Sequence, residues 1–298
     1  MATCIRCGRE MAAPSGAEAP LCRDCRADLD PTSIETAAPV RVRSRFLLTQ
    51  AIVGVNVLVF VGMVLSGVSP MSPTRLQLVM WGANFAPLSL GPQPWRMLAS
   101  NYVHIGIIHI FFNMWCLWNL GRLAESIFDR WTYLLVYTAS GIAGSLASLW
   151  WHPQGIGAGA SGAIFGLAGG LIAVLYLGKL PFAKDALKPT LRSLVMFAAY
   201  NLFFGLVPGI DNAAHLGGLA AGLSIGALLA ASVTEPPDIR ARRRNYVVIG
   251  TTLLLLAGYS YLKQKSAPVA PPVTISLSSR PERSAASGVE GSGVAASG

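Results

Sequence analysis

A serine and two histidines stand inside strongly apolar stretches of this sequence, where polar side chains are costly. Ser161 follows the glycine-rich segment GIGAGA, His215 lies in DNAAHLGGLAAG, and His109 lies with Asn113 in HIFFN. Imidazoles and amides within apolar spans usually mark function. A serine beside an imidazole base is the minimal activated nucleophile. These residues predict a hydrolytic site, provided that the fold brings them together.

The composition predicts an all-α polytopic membrane protein. Of the 298 residues, 53% are hydrophobic and 12% are charged, whereas a soluble domain carries about 25% charged residues. No Asp, Glu, Lys or Arg occurs between Arg130 and Lys179, a length sufficient for two bilayer crossings of about 20 residues each. Apolar spans are predicted at residues 46–68, 104–121, 131–151, 161–178, 193–208, 212–232 and 246–262.

The net charge of +9 comes largely from arginines beside these spans, in RVRSR (41–45) and RARRR (240–244). This placement favours juxtamembrane charges that fix topology over nucleic-acid binding. If the N-terminus is cytoplasmic, both clusters fall inside; this requires an even number of crossings between them, and six spans are counted. The seventh span, which would carry Lys263 and Lys265 outward, fits the rule poorly. The polar N-terminus does not resemble a signal peptide.

Depth and glycine spacing together indicate how the polar residues meet. In the predicted topology the second, fourth and sixth spans run from outside to inside, so His109, Ser161 and His215 fall within about 10 Å of the outer face. Small residues repeat every fourth position in two of these spans, at Gly162, Gly166 and Gly170 and at Gly218, Gly222 and Gly226. Such stripes let membrane helices touch backbone to backbone. Facing stripes would bring Ser161 and His215 together, while the alternative is that they serve packing alone.

Four cysteines near the N-terminus are spaced as in a zinc ribbon. Two CxxC pairs, Cys4 with Cys7 and Cys22 with Cys25, are separated by fourteen residues. Four thiolates from two tight turns can complete a tetrahedral zinc site. Two disulfides or a redox CxxC are the alternatives, and a reducing cytosol disfavours disulfides. Cys116, within an apolar run, is interpreted as a small core residue.

The domain organisation follows from these features. The aromatic segment 69–103 lacks an apolar run of spanning length and is interpreted as a folded loop at the membrane interface. The tail is rich in Pro, Ala, Ser and Gly, a composition typical of disorder. We therefore expect a zinc-ribbon-like module (1–26), a linker (27–45), a membrane domain (46–232), a basic linker with a seventh transmembrane helix (233–265) and a disordered tail (266–298).

The sequence resembles the rhomboid family of intramembrane serine proteases over about residues 46–232. GASG (159–162) is similar to the family's GxSG, AHLGGLAAG (214–222) to its AHxxGxxxG, and HIFFN (109–113) to its HxxxN. PWR (94–96) resembles the Trp-Arg signature of the first loop, and the glutamate of LGRLAE matches the family's structural glutamate. The matching residues are Gly159, Ser161, Gly162, His215, Gly218, Gly222, His109, Asn113, Trp95, Arg96 and Glu125.

This resemblance implies a six-helix bundle that cleaves transmembrane protein substrates in the lipid bilayer without a catalytic cofactor. Ser161 would be the nucleophile and His215 the base, and His109 with Asn113 would bind the oxyanion. The family dyad needs no aspartate, so Asp211 is not read as a triad member. Phe165 replaces a frequent tyrosine, which preserves ring stacking but removes the hydroxyl. The zinc ribbon, whose partner is unknown, lies outside the resemblance.

Two other functions compete with proteolysis. A catalytically inactive rhomboid-like protein would bind membrane clients, but such relatives typically lack the serine or the histidine, and both are present here. A transporter or channel would favour paired intramembrane acid and base residues or inverted repeats, and neither is evident. The sequence thus predicts an intramembrane serine endopeptidase, with its active site near the extracytoplasmic face.

Overall fold

The described residues form ten helices and one short hairpin. A computed structural model describes residues 2–4, 8–11, 22, 46–181, 183–207 and 209–266. Strands β1 (Ala2–Thr3) and β2 (Glu10–Met11) pair antiparallel. The helices are α1 Leu47–Leu65, α2 Arg75–Met80, α3 Ala86–Ser89, α4 Arg96–Ala99, α5 Ile107–Ile127, α6 Arg130–Trp151, α7 Ser161–Leu177, α8 Lys184–Phe204, α9 Asn212–Ala230 and α10 Pro237–Lys265.

Within this part of the chain, four helices are long and apolar enough to cross a membrane, namely α1, α6, α9 and α10. Helix α7 is apolar but has 17 residues. The helical, multi-pass character expected from the sequence is therefore confirmed. Three helices extend beyond the predicted apolar spans, because hydropathy detects only the apolar part of a helix. Helix α5 continues to residue 127, α8 begins at residue 184, and α10 begins at residue 237.

Helix α7 forms the centre of the bundle, with α5, α6, α8 and α9 packed around it. Most of its residues are buried, including Ile164, Leu167, Leu171 and Val174. A helix that is apolar on all sides is expected in such a position. The N-terminal residue of this central helix is Ser161.

The two glycine stripes face each other, as the sequence predicts. A Cβ atom at Gly218 would overlap the carbonyl oxygen of Gly162, and one at Gly222 would overlap that of Gly166. One turn further, a Cβ at Gly226 would lie 2.6 Å from the carbonyl oxygen of Gly170. Only glycine permits this backbone contact between α7 and α9.

The loop between α1 and α5 is folded around a buried arginine. The Arg96 side chain donates from Nη1 to the carbonyls of Val79 (2.5 Å) and Ala83 (3.2 Å) and from Nε to Gln93 Oε1 (2.6 Å). Its guanidinium lies 4.9 Å from the ring centroid of Trp95. A buried charge needs such partners, so Arg96 connects α4 to α2 and to the segments on either side of α3.

The N-terminus of α1 is capped by a residue from the far end of α5. Glu125 Oε1 accepts hydrogen bonds from the backbone amides of Leu48 (2.7 Å) and Thr49 (3.2 Å), and its Oε2 accepts one from Thr49 Oγ1 (3.2 Å). A carboxylate there satisfies unpaired amides and complements the helix dipole. Glu125 therefore fixes where α1 meets the bundle.

Helix α10 is attached to α6 at both ends. Arg244 Nη1 donates to Asp129 Oδ1 at 2.9 Å, and Asp129 is also the N-cap of α6. At the other end, Leu262 packs with Leu146 and Leu149. Burial alone would raise the pKa of Asp129, but hydrogen bonds from Thr132 and the Arg244 charge outweigh it and hold that pKa below its ordinary value.

The N-terminal hairpin contains part of the cysteine motif. Gly8 adopts a positive φ of 73°, and its amide donates to the carbonyl of Cys4 at 2.9 Å. The amide of Cys22 donates to Cys4 Sγ at 3.2 Å, and both cysteines are buried. Cys7 and Cys25 lie outside the described residues, as do most of the predicted linker and tail. The described residues alone contain no group of three or more metal-binding side chains.

The facing stripes predict that Gly222→Leu forces α7 and α9 apart, because the added side chain would occupy the position of the Gly166 carbonyl. We expect a large loss of thermal stability in detergent, measured as the unfolding midpoint. Gly250→Leu in α10 is the matched control, because no atom lies within 4 Å of a Cβ built there. Equal midpoints in the two variants would contradict the backbone contact.

Candidate active site

The segment before Ser161 is held in place by backbone hydrogen bonds to the loop that precedes α5. The amides and carbonyls of Asn84 and Gly157 pair reciprocally, at 2.8 and 2.9 Å, and the Gly159 amide donates to the carbonyl of Ser100 at 2.9 Å. Non-helical backbone at membrane depth must be satisfied in this way. The loop thereby fixes the position at which α7 begins.

Asn84 is a structural residue that the sequence reasoning missed. It is buried, and its Nδ2 donates to the carbonyl of Ser145 in α6 at 2.9 Å. Asn84 therefore connects the glycine-rich segment to both the loop and a membrane helix. Its position in an irregular aromatic stretch gave no periodic signal that could have identified it.

Gly159 lies directly beneath the ring of His109. Its φ of 129° is unfavourable for other residues, and a Cβ there would lie 2.5 Å from His109 Cε1 and 2.9 Å from His109 Nε2. His109 is thus adjacent to the backbone that leads into Ser161. The glycine is required for two independent reasons, backbone conformation and space.

The hydrogen bonds of His109 fix the role of each ring nitrogen. Its Nδ1 lies 3.3 Å from the amide of Ile105, which can only donate. In a neutral ring the proton must then be on Nε2, the nitrogen on the side of Gly159. One helical turn later, Asn113 Nδ2 donates to the His109 carbonyl at 3.0 Å. The second Nδ2 proton of Asn113 is not used by that bond.

His215 lies beside α7, against the helical turn that follows Ser161. Phe165, one turn after Ser161, stacks on the His215 ring with centroids 4.4 Å apart and an angle of 13° between the planes. A Cβ at Gly162 would lie 3.3 Å from the carbonyl of Ala214. Because residues four apart share a helix face, Ser161 and His215 are brought to the same end of the α7–α9 pair.

Among the described residues, neither Ser161 Oγ nor His215 Nδ1 has a hydrogen-bond partner. Catalytic hydrogen bonds in enzymes without substrate are often long and tighten only when substrate binds. The amide of Ser161 also lacks an acceptor in this part of the chain, as expected at a helix N-terminus. The site therefore offers an unpaired hydroxyl, an unpaired imidazole nitrogen and an amide donor.

Asp211 has a structural role in the described geometry. Its Oδ1 accepts from the amide of Ala214 at 3.0 Å, which caps α9, and its Oδ2 accepts from Ser148 Oγ at 2.5 Å. It makes no hydrogen bond to His215 side-chain atoms within the described residues. The aspartate thus positions the start of the helix that carries the histidine.

A small polar cavity of about 30 Å³ adjoins Ser161. A volume of 10–15 Å³ holds about one water molecule, so the cavity has room for about two. Ser148 and Asp211 also line a second, more open cavity of about 430 Å³ beside Gln154. The cavity beside Ser161 is therefore large enough for water, and the larger cavity shares two of its lining residues.

Known proteins are similar to this chain in sequence over most of its length. The family model of the rhomboid domain matches residues 91–232. The rhomboid protease AarA of Providencia stuartii is 30% identical over 256 residues, which cover 78% of this chain and 88% of that protein. This chain belongs to the rhomboid family. The match to AarA decides the assignment, because it covers most of both sequences.

Two other relatives align over less of their own length. The rhomboid protease GluP of Bacillus subtilis is 32% identical over 228 residues, 76% of this chain and 42% of GluP. RHOMBOID-like protein 4 of Arabidopsis thaliana is 35% identical over 160 residues, 53% of this chain and 40% of that protein. This rhomboid therefore spans about two fifths of these two relatives.

The contact between Gly159 and His109 predicts that Gly159→Ala displaces the imidazole and the segment before Ser161. We expect a lower unfolding midpoint and at least a tenfold loss of any cleavage of a model transmembrane substrate by this rhomboid. Gly209→Ala is the matched control, because Gly209 also has a positive φ (97°) but no neighbour within 4 Å of a Cβ. If both variants behaved alike, backbone strain rather than the His109 contact would explain the loss.

Proposed function

We propose that this rhomboid is an intramembrane serine endopeptidase that uses Ser161 and His215 as a catalytic dyad. The observation that carries the proposal is the backbone contact of α7 and α9. It brings the nucleophile and the base to one end of the helix pair, with the ring of Phe165 stacked on His215. The ring of His109 covers the adjacent backbone at Gly159.

In the proposed reaction, Ser161 Oγ attacks the carbonyl carbon of the scissile peptide bond while His215 accepts the hydroxyl proton. The tetrahedral intermediate carries its negative charge on the former carbonyl oxygen. As the C–N bond breaks, His215 returns the proton to the leaving amine. Water, activated by His215, then hydrolyses the acyl-enzyme and restores Ser161. The scheme requires only these side chains and water.

The oxyanion would be held by three donors. The Ser161 amide is unpaired at the helix N-terminus, His109 carries a proton on Nε2, and Asn113 keeps one Nδ2 proton available. Preorganised donors of this kind each contribute about 10²–10³ in kcat. The cavity of about 30 Å³ beside Ser161 would hold the hydrolytic water, which the surrounding lipid excludes.

The proposed substrates are proteins with a transmembrane anchor. A site at the outer end of α7 and α9 would meet a peptide bond within or beside such a helix. The arginine clusters flanking the bundle support a cytoplasmic N-terminus by the positive-inside rule. The active site would then open towards the extracytoplasmic face.

The competing proposal is an inactive rhomboid-like protein that binds membrane clients without cleaving them. It predicts that a client helix binds equally well to the wild type and to Ser161→Ala, and that neither releases a product. The presence of both Ser161 and His215 favours the protease.

The dyad predicts that Ser161→Ala and His215→Ala each lower cleavage of a model transmembrane substrate by about four to six orders of magnitude. Residues that act as a unit are not additive, so the double variant should be scarcely slower than either single one. Ser224→Ala in α9 is the control, because among the described residues that hydroxyl bonds only to its own helix, at the Ala220 carbonyl. Near-normal cleavage by either dyad variant would refute the dyad.

We propose separately that the N-terminal cysteines Cys4, Cys7, Cys22 and Cys25 bind one structural zinc ion. The spacing of two CxxC pairs supports this, and so does the approach of Cys22 to Cys4, the first residues of the two pairs. An amide that donates to sulfur favours the thiolate form, which is the form that binds zinc. Such a short module gains most of its folding free energy from the metal.

This proposal predicts about one equivalent of zinc per chain in protein purified under reducing conditions. Cys4→Ser and Cys22→Ser should each release most of it, whereas Cys116→Ser, a membrane-helix cysteine, should not. Deletion of residues 1–40 should remove the zinc and preserve cleavage in detergent. Absence of zinc from the full chain, measured by elemental analysis, would contradict the site.

A further inference from the structure

A small cavity lies where α5 and α9 end and where α6 and α10 begin. Its volume is about 10 Å³, and its polar lining residues are Asp129, Thr132, Ser232 and Arg240. Another of its lining residues, Leu229, is separated from His215 by a rise of about 21 Å along α9. The cavity therefore lies at the end of the bundle opposite the proposed active site.

Arg240 contributes a buried hydrogen-bond donor to this region. Its Nε atom is buried and has no acceptor among the described residues. Arg244, four residues further along the same face of α10, donates instead to Asp129 Oδ1 at 2.9 Å. A buried donor without an acceptor is destabilising, so we expect an acceptor beside Arg240 Nε.

The hydroxyl groups that line the cavity have already used their protons. Thr132 Oγ1 donates to Asp129 Oδ2 at 3.0 Å, and Ser232 Oγ donates to the carbonyl of Leu229 at 2.8 Å. Each hydroxyl oxygen keeps lone pairs that can only accept. Within the described part of the chain, Asp129 Oδ2 accepts one hydrogen bond, whereas Oδ1 accepts three. The lining thus provides one unused donor and three oxygens that can accept.

Water matches both the size and the hydrogen-bonding groups of the cavity. A volume of about 10–15 Å³ holds one water molecule, which can accept one hydrogen bond and donate two. A metal cation cannot accept the Arg240 proton, and phosphate is too large. A halide ion could accept that proton, but it would also lie beside the Asp129 carboxylate and two hydroxyl oxygens without a free proton.

We propose that this cavity binds one water molecule, which accepts a hydrogen bond from Arg240 Nε and donates to two of the three oxygens. Buried waters typically make about three hydrogen bonds to otherwise unsatisfied groups. This water joins the first turn of α10 to the first turn of α6 and to Ser232, just after α9. It adds a second polar connection to the Arg244–Asp129 pair, one turn further along α10.

A crystal structure of the full chain, at a resolution that shows ordered water, tests the site directly. We expect one peak of density about 2.7–3.2 Å from Arg240 Nε and at a similar distance from two of the three oxygens. A second crystal grown in bromide separates water from a halide, because bromide gives an anomalous signal. Absence of a density peak, or an anomalous peak in the cavity, would overturn the proposal.

Thermal unfolding in detergent tests whether the water connects the helices. Arg240→Met and Ser232→Ala each remove a partner of the water and should each lower the unfolding midpoint by roughly 2–4 °C. The double variant should lose less than the sum of the two losses, because the first substitution already weakens the shared water. Arg243→Met is the matched control, since Arg243 is exposed on the same helix, and its effect should add fully to that of Ser232→Ala. Full additivity of Arg240→Met with Ser232→Ala would overturn the proposed connection, and the crystal structure decides the site if a variant fails to fold.

Discussion

The backbone contact between α7 and α9 is the constraint on which the rest of the structure depends. A glycine in a helix interior lowers the stability of the helix by about 1 kcal/mol relative to alanine, and each of the two stripes contains three glycines. Their lack of side chains lets carbonyl groups of one helix lie where side chains of the other would otherwise be, as at Gly166 and Gly222. The contact fixes rotation and register together, so residues at the ends of the two helices cannot drift relative to each other.

The irregular backbone near Ser161 depends on a second constraint, the satisfaction of polar groups at membrane depth. Asn84 and Ser100 bond the segment before α7, and Arg96 in turn holds the loop to which they belong. None of these residues takes part in the proposed chemistry. They position a serine at a helix N-terminus, where its own amide is free to act as a donor.

Charged residues secure the peripheral helices at their ends and leave the middle of the bundle apolar. Glu125 caps α1 and Arg244 pairs with Asp129 at the start of α6. Both contacts lie at helix N-termini. There a carboxylate accepts hydrogen bonds from unpaired backbone amides, and its charge complements the helix dipole. Helix α10 has one such anchor, the Arg244–Asp129 pair, and its other end is held by the apolar packing of Leu262.

Much of the fold was predictable because local patterns in the sequence indicate it. Hydropathy predicted the apolar spans, although it missed the charged turns of α5, α8 and α10. The four-residue spacing of glycines predicted that α7 and α9 face each other, and the contact at Gly218 confirms it. Depth within the spans predicted that Ser161 and His215 share one end of the bundle. All these signals repeat along one helix or lie in a short motif.

Other features depend on contacts that have no local pattern. The pairing of Asn84 with Gly157 and the bond from Ser148 to Asp211 each join segments that are distant in sequence. The tautomer of His109 depends on the side-chain rotamer that places Nδ1 near the amide of Ile105. The sequence by itself determined which residues have reactive types and which helices are apolar. Only the tertiary structure decided which donor bonds to which acceptor, because hydrogen bonds depend on three-dimensional proximity.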